Sequence, residues 1–303
     1  MYPTVFRYLD DHGISLSGVL RLSDCAPAKM YLLERDGFDL SAPESIRVLI
    51  FAVPYLTRVS DDPSRNLSAY AVSRDYHLFL RELFADWLPR LRAEFPDRLF
   101  AGYVDHSPIG EVDAACRAGL GDIGMNHLLL TRAYSSYVFL GELITTLDLP
   151  LTEAPRERTP LCTRCGACMR ACPAYNKESG NADCRSALTQ KKGTLTDAER
   201  DILTAFPLVW GCDICQEVCP CTIAARRAGT IYTDIPFFSE NAISHLTSEA
   251  LDAMDDAEFS TRAFAWRGRQ TIRRNLLFKE TAEKTVEKPA KETAKEGQAP
   301  CSI

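Results

Sequence analysis

Apolar runs and helical apolar stripes alternate in the first third of the chain. The run from Ile46 to Pro54 is rich in β-branched side chains and ends at a proline, which predicts a buried strand. A helix is predicted next, because apolar residues recur every three or four positions while charged residues occupy the other face. Its stripe consists of Tyr76, Phe79, Leu80, Leu83, Phe84, Trp87, Leu88 and Leu91.

The same pattern occurs once more before position 120. Residues 98–104 predict a second strand that ends at Asp105, and Glu111 to Ala118 predicts a short helix that stops at Gly119. Strand–helix alternation with short connections indicates an α/β domain. Ligands of open α/β sheets bind at the carboxyl ends of strands, so Asp105 is a candidate site residue. The alternative role for Asp105 is an N-cap of the following helix.

Cysteine spacing in the second half of the chain points to iron–sulfur chemistry. The segment from Cys162 to Pro173 reads C-x2-C-x2-C-x3-C-P, the run in which three thiolates hold one [4Fe–4S] cluster and the fourth reaches a neighbouring cluster. A second block runs from Cys212 to Pro220, and Cys184 lies between the two. The eight thiols are Cys162, Cys165, Cys168, Cys172, Cys184, Cys212, Cys215 and Cys219. Structural zinc is the alternative, although zinc favours separate C-x2-C pairs.

The change of pattern near residue 150 divides the chain. We expect an α/β domain at residues 1–149 and a ferredoxin-like double-cluster domain at residues 150–278, made of loops and short helices where metal ligation replaces part of a hydrophobic core. One or two amphipathic helices between Thr247 and Arg274 are expected to close this second domain. Residues 279–303 are charged, low in complexity and interrupted by Pro289, which predicts a solvated tail.

Composition limits the class of protein further. The chain is 46% hydrophobic and 25% charged, as in ordinary soluble proteins, and its net charge of −6 argues against broad nucleic-acid binding. A local basic patch is compatible with that charge, and Arg226–Arg227 and Arg267–Arg274 are candidates unless they are solvated helix faces. The charged N-terminus and the lack of a long apolar run predict no signal peptide and no membrane span, hence a reducing cytoplasm.

Several short motifs follow one another along the chain. Ala69–His77 contains tyrosine-alanine and aspartate-tyrosine-histidine, and Val104–Glu111 reads valine-aspartate-x-x-proline-x-x-glutamate. These motifs resemble the signatures of the epoxyqueuosine reductase family. Ala118–Asn126 is similar to the glycine-rich segment of that family, and Phe139–Leu143 matches the next conserved segment in the same order. The cysteine blocks follow, the second within Trp210–Pro220, so the resemblance extends from about Ala69 to Pro220.

That resemblance implies an N-terminal cobalamin-binding domain followed by two [4Fe–4S] clusters, and a two-electron removal of the epoxide oxygen of epoxyqueuosine in tRNA. It makes Asp105 the proton donor, for which we expect a pKa raised by burial against a corrinoid face. It assigns Tyr70, Asp75, His77 and Asn126 to cofactor binding. The ligand sets it implies are Cys162, Cys165, Cys168 and Cys219 for cluster one, and Cys172, Cys184, Cys212 and Cys215 for cluster two. A low-potential donor such as ferredoxin or flavodoxin is expected.

The sequence also departs from the family, and the departures keep two other functions open. Val112 replaces a basic residue, Asp122 and Met125 replace an aromatic residue and a lysine, and Cys221 replaces a tryptophan. The helical repeats of longer members are not recognised, which makes this a divergent short member. One alternative is a related corrinoid and iron–sulfur reductase of a small molecule. The other is an iron–sulfur protein that transfers electrons or reactivates a corrinoid, without substrate chemistry. For His77 a purely structural role is the alternative.

Overall fold

The computed structural model describes residues 3–152, 159–175 and 184–287. Its strands are β1 Leu16–Arg21, β2 Arg47–Pro54, β3 Phe100–Tyr103, β4 Asp122–Ile123, β5 Leu129–Leu130 and β6 Val138–Thr145. The helices of the first part are α1 Pro3–Asp11, α2 Tyr31–Arg35, α3 Ala69–Val72, α4 Tyr76–Glu94 and α5 Glu111–Arg117. The predicted strand at 46–54 and both predicted helices are therefore present, within one or two residues of their expected ends.

Four strands form one sheet in the order β1-β2-β6-β3, and every neighbouring pair is antiparallel. The predicted α/β class left the direction of neighbouring strands open. Since β2 and β3 are both antiparallel to β6, they run parallel to each other, joined by α4, with β6 inserted between them. Strand–helix alternation in the sequence predicts the connection from β2 through α4 to β3. It does not predict that β6, which comes later in the chain, lies between these two strands. The ends of β2 and β3 still lie at the same edge.

Helices cover both faces of this sheet. The face that carries Phe51 and Leu143 packs against the apolar stripe of α4 and against Val5 and Leu9 of α1. The opposite face, with Ile50 and Ile144, packs against α2 and α5. The result is a helix–sheet–helix arrangement, in which alternate residues of each strand enter different cores. This three-layered packing agrees with the predicted α/β class.

Short helices and loops make up the second part, as expected. They are α6 Ala167–Ala171, α7 Arg185–Thr189, α8 Asp197–Ala205, α9 Ile214–Glu217 and α10 Pro220–Ala228. This part packs directly on the first: the rings of Phe237 and Phe238 each lie 5.4 Å from the ring of Phe79 on α4. The predicted boundary near residue 150 thus separates two patterns of secondary structure that share one hydrophobic core.

A buried ion pair joins the two parts beside the second cysteine block. Asp213 is 1% exposed and accepts hydrogen bonds from the Arg65 guanidinium (2.7 Å), the Ala69 backbone N–H (2.8 Å) and the Ser68 hydroxyl. Because a buried carboxylate is stable only when it is well paired, this network fixes the segment between Cys212 and Cys215 on the first part of the chain.

Three helices follow at the C-terminal end: α11 Ser248–Ala253, α12 Asp256–Ser260 and α13 Arg269–Glu287. The side-chain amide of Asn275 on α13 donates to the carbonyls of Thr189 and Val209, at 2.7 and 2.9 Å. The helix continues into the segment predicted to be a solvated tail, whose remainder, 288–303, lies outside the described residues. None of the described helices combines the length and the apolar composition that a membrane crossing requires.

Candidate functional site

Asp105 lies in a tight turn directly after β3. Its backbone adopts the left-handed region, with φ of 55°, which is uncommon for a residue with a side chain. The Tyr76 hydroxyl donates a hydrogen bond to Asp105 Oδ2, and His77 Nε2 lies 3.3 Å from the same oxygen. Both partners belong to the first turn of α4. The carboxyl end of β3 and the start of α4 therefore build one polar site.

His77 connects two carboxylates. Asp75 is the N-cap of α4, where its Oδ1 accepts the His77 backbone N–H, and the same oxygen lies 2.8 Å from His77 Nδ1. Hydrogen bonding to Asp105 and to Asp75 raises the pKa of His77 to about 9. The imidazole therefore carries a proton at neutral pH, with one nitrogen held by each carboxylate.

In the protein by itself the pKa of Asp105 is lowered, opposite to the rise expected from burial against a corrinoid face. Burial does raise the pKa of this carboxyl, but the hydrogen bonds from His77 and Tyr76 outweigh burial, and the net pKa is lowered. The expectation considered desolvation alone, whereas the partners that stabilise the charged form decide the sign here. The same contacts therefore favour the charged form of both groups, the imidazolium of His77 and the carboxylate of Asp105.

Two further acids lie behind the Asp105 turn. Glu111 Oε1 accepts the backbone N–H of Asp105 at 2.9 Å. Glu142 on β6 is 0% exposed, and its Oε2 accepts a hydrogen bond of 2.6 Å from the Ser107 hydroxyl. Burial raises the pKa of both glutamates. The charge of Glu111 raises the pKa of Glu142 further, and the charge of Asp105 raises that of Glu111.

The remaining two predicted cofactor residues lie apart from this turn. Tyr70 is on α3, and its ring packs so closely on Gly211 that a Cβ there would come within 2.9 Å of it. Asn126 lies between β4 and β5 and lines a cavity formed by cysteines. The structure therefore brings Asp75, His77 and Asp105 together and places Tyr70 and Asn126 beside the cysteine blocks.

The cysteines of predicted cluster one surround a single cavity. Its volume is about 220 Å³, and its thiols are Cys162, Cys165, Cys168, Cys219 and Cys221. Four of these are the ligands that the resemblance implies. The fifth, Cys221, donates from Sγ to the Leu161 carbonyl at 3.2 Å. A largely apolar cavity with four converging thiols fits a cubane cluster.

The cysteines of predicted cluster two lie close enough for their charges to interact. The charges of Cys184 and Cys215 raise the pKa of Cys212, and those of Cys184, Cys172 and Cys168 raise the pKa of Cys215. Burial raises the pKa of Cys212 to about 12 and that of Cys215 to about 11. Metal binding displaces such protons, because iron binds the thiolate. The donor set therefore suits a second cluster.

The arginines of the candidate basic patch are largely used within the protein. Arg273 pairs with Asp252, and Arg269 donates to the carbonyl of Met254 at 3.0 Å. Arg274 donates to the carbonyl of Gly193 at 2.9 Å. These contacts tie α13 to neighbouring segments, so much of the charge predicted for an RNA surface at 267–274 stabilises the fold instead.

Sequence reasoning missed two residues of the site. Tyr76 was assigned to the apolar stripe of α4, yet its hydroxyl binds Asp105 while its ring stacks on Phe139 at 3.8 Å. Glu142 lies in β6, a strand that was not predicted. An acid inside the apolar sequence Phe139-Leu-Gly-Glu-Leu-Ile144 is the signal that marks it.

Comparison with known proteins shows which families the chain is similar to. A family model described as a 4Fe-4S double cluster binding domain matches residues 161–222. Epoxyqueuosine reductase of Gloeobacter violaceus is 35% identical over 214 residues, which cover 69% of this chain and 64% of that protein. The Pseudomonas aeruginosa enzyme is 36% identical over 201 residues, covering 62% of this chain and 54% of that protein. The chain thus spans less than two thirds of these relatives.

Solved structures give the same result. A crystal structure of epoxyqueuosine reductase with an epoxyqueuosine-modified tRNA-Tyr stem loop has a TM-score of 0.67 and 25% identity, covering 91% of this chain and 79% of that one. The Streptococcus thermophilus epoxyqueuosine reductase, at 21% identity, has the same fold, with a TM-score of 0.68 over 93% of this chain and 82% of that one.

The fold and the two cysteine sets define a double-cluster iron–sulfur protein that binds two [4Fe–4S] clusters. Within that class the chain is a relative of the epoxyqueuosine reductases, as its motifs predicted.

Proposed function

We propose that this protein is a cobalamin-dependent, iron–sulfur reductase that converts epoxyqueuosine to queuosine in tRNA. One observation carries the proposal: the residues that match the family motifs form a site, in which the Asp105 carboxylate is held by His77 and Tyr76. The similarity to epoxyqueuosine reductases, which supports the proposal, covers most of the chain.

The surface around the cysteine cavity suits a corrinoid. The glycine-rich segment presents Ile123 and Met125 with apolar side chains 42% and 36% exposed, and Met125 also lines that cavity. A flat macrocycle with apolar edges can cover such side chains. When bound, cobalamin would supply a strongly reducing or nucleophilic cobalt centre. Asn126 on this segment, together with Tyr70, Asp75 and His77, would hold it, as the resemblance implies.

The residues of the turn supply protons. Removal of an epoxide oxygen consumes two electrons and two protons and releases water, leaving a carbon–carbon double bond. Protonation of the developing alkoxide by a positioned acid typically accelerates such a step about 10²–10⁴-fold. The proton lies on His77 Nε2, facing Asp105 Oδ2, so the His77–Asp105 pair acts together as the acid. Tyr76 keeps the carboxylate oriented.

Electrons reach the site through the clusters. Cys184 and Cys165 are exposed, so each predicted ligand set approaches the surface of the protein. A soluble low-potential carrier such as ferredoxin or flavodoxin is the donor that we propose. We place the protein in the cytoplasm, where thiolates remain reduced and tRNA is available.

Complementation tests the substrate. The full chain is expressed in cells that lack their own epoxyqueuosine reductase, and queuosine and epoxyqueuosine are measured in digested tRNA. We expect queuosine to replace epoxyqueuosine, and Asp105→Asn to abolish the replacement. Persistent epoxyqueuosine, despite wild-type protein that carries both clusters and a corrinoid, would overturn the assignment to tRNA.

A second candidate is a reductase of a small molecule with the same cofactors. It is favoured by the arginines at 269, 273 and 274, whose charges are engaged within the protein rather than free for phosphates. A pure electron carrier is disfavoured, since it would not require the site built around Asp105.

A further inference from the structure

Glu142 is a carboxyl group in the middle of a sheet. It lies on β6 between Ile50 of β2 and Tyr103 of β3, in the layer covered by α5. Its side chain is completely buried, and only Oε2 has a hydrogen-bond donor, the Ser107 hydroxyl. Within the described residues, no N–H or hydroxyl donates to Oε1, and the carboxyl group with which Glu142 can share a proton is that of Glu111. Such a group is expected to carry a proton rather than a charge, because burying an unpaired carboxylate is costly.

The charges around Glu142 reinforce that expectation. Its strongest charged neighbour is another acid, Glu111, and Asp105 adds a second negative charge. Other groups facing the two glutamates are Lys29, Cys25, Tyr103 and Tyr76. Lys29 is the cation among them, and it is a half-buried residue whose Nζ lies 2.9 Å from His106 Nδ1. Glu142, Glu111 and Asp105 repel one another when charged, so the three carboxyl groups are not all ionised at neutral pH.

Glu111 links this pair to the candidate catalytic turn. Its Oε1 accepts the backbone N–H of Asp105, the residue held in the left-handed conformation. A backbone in that region persists only when surrounding contacts fix it. If Glu111 moved, the turn would lose the side-chain acceptor for that N–H, and the Asp105 carboxylate would no longer be directed at His77.

We propose that Glu142 is uncharged at neutral pH and shares its proton with Glu111, and that this acid pair positions Asp105. Ionisation of the pair would place three negative charges together and drive the Glu111 carboxylate away from the Asp105 amide. Glu142 is thus a positioning residue, and its effect on turnover rests on the proposed function. The protonation of Glu142 and its effect on stability are independent of the proposed function.

The first experiment compares Glu142→Gln with the wild type. The amide has the shape of the protonated acid but cannot ionise. A buried acid whose pKa is raised contributes stability that is complete below the ordinary glutamate value of about 4.3 and is lost as pH rises through the raised pKa. Between about pH 6 and about pH 9, the wild-type thermal midpoint should therefore fall more than that of Glu142→Gln. Glu34→Gln, at an exposed position, should follow the wild type.

The second experiment needs no stable variant. Infrared difference spectra of the holoprotein should contain a protonated-carboxyl band at neutral pH that disappears as pH rises; if Glu142→Gln folds, it should lack this band. Turnover of epoxyqueuosine tRNA by Glu142→Gln should decline less on the alkaline side than that of the wild type. Wild-type protein without the band, or equal pH dependence of both midpoints, would overturn the proposal. A confirmed band without turnover in any variant would instead contradict the proposed function.

Discussion

At the scale of single residues, the observed site differs from the expected one in which side chain binds the proton: His77 rather than Asp105. A carboxyl group at a strand end identifies Asp105 as a candidate, but its ionisation depends on partners that come from α4. His77 lies between two carboxylates, so it binds the proton more tightly than Asp105 does. The sequence motifs identify both His77 and Asp105 as candidates. Which of the two binds the proton more tightly follows only from the contacts that the structure shows.

We predict that His77 titrates with a pKa of about 9. The two carboxylates favour the imidazolium, so its contribution to stability is fully present below the ordinary histidine value of about 6.5 and is lost as pH rises through about 9. NMR of ¹⁵N-labelled histidine measures the titration. Asp105→Asn should move the pKa of His77 toward its ordinary value, and Asp113→Asn, in an exposed ion pair, should not. An unchanged value in Asp105→Asn would contradict the pairing.

Replacement of Asp105 by asparagine should reduce turnover at least ~100-fold, because the amide cannot pass on a proton. Iron content and the absorbance of the clusters and corrinoid should be unchanged, since Asp105 is not among their predicted ligands. Single-turnover kinetics with reduced protein measures the effect. If the variant loses corrinoid instead, Asp105 has a structural role; if it stays active, another group donates the proton.

Among the elements, periodicity identified those whose apolar faces are regular. The stripe of α4 and the β-branched run of β2 were both recognised, because each buries a continuous set of side chains. The strands β1 and β6 were missed: each contains a glycine and a polar residue within its apolar positions. Glu142 belongs to β6, so the buried acid and the order of the sheet were missed together. Neither follows from local pattern, since both depend on pairing between distant segments.

The cysteine sets predict which thiols can be removed without loss of a cluster. We expect about eight iron atoms and eight acid-labile sulfides in the wild type, and about four of each in Cys219→Ala, because that residue completes cluster one. Cys221→Ala is the matched control in the same cavity and should keep about eight. Iron and sulfide analysis after anaerobic reconstitution measures both. If Cys219→Ala kept its full iron content and only the variant lacking both Cys219 and Cys221 lost cluster one, Cys221 would be a ligand.

For the whole molecule, the two predicted domains are expected to unfold as one unit. Phe238 is 0% exposed and comes from the second part, but its ring lies against Phe79 and Phe139 of the first. Phe238→Ala should cost about 3–5 kcal/mol. It should also shift loss of cluster absorbance and loss of far-ultraviolet dichroism together. Leu277→Ala, at a 49% exposed position, should shift neither measurably. Separate transitions in Phe238→Ala would indicate independent domains.

The contact made by Asn275 has a consequence for biosynthesis. This side chain holds the carbonyls of Thr189 and Val209, on either side of the segment that leads to the second cysteine block. Since α13 follows every predicted ligand in the sequence, it has not yet been translated when the last of those cysteines emerges from the ribosome. We therefore expect iron–sulfur delivery to act on completed chains, and nascent chains stalled before position 269 to leave their cysteines open to oxidants.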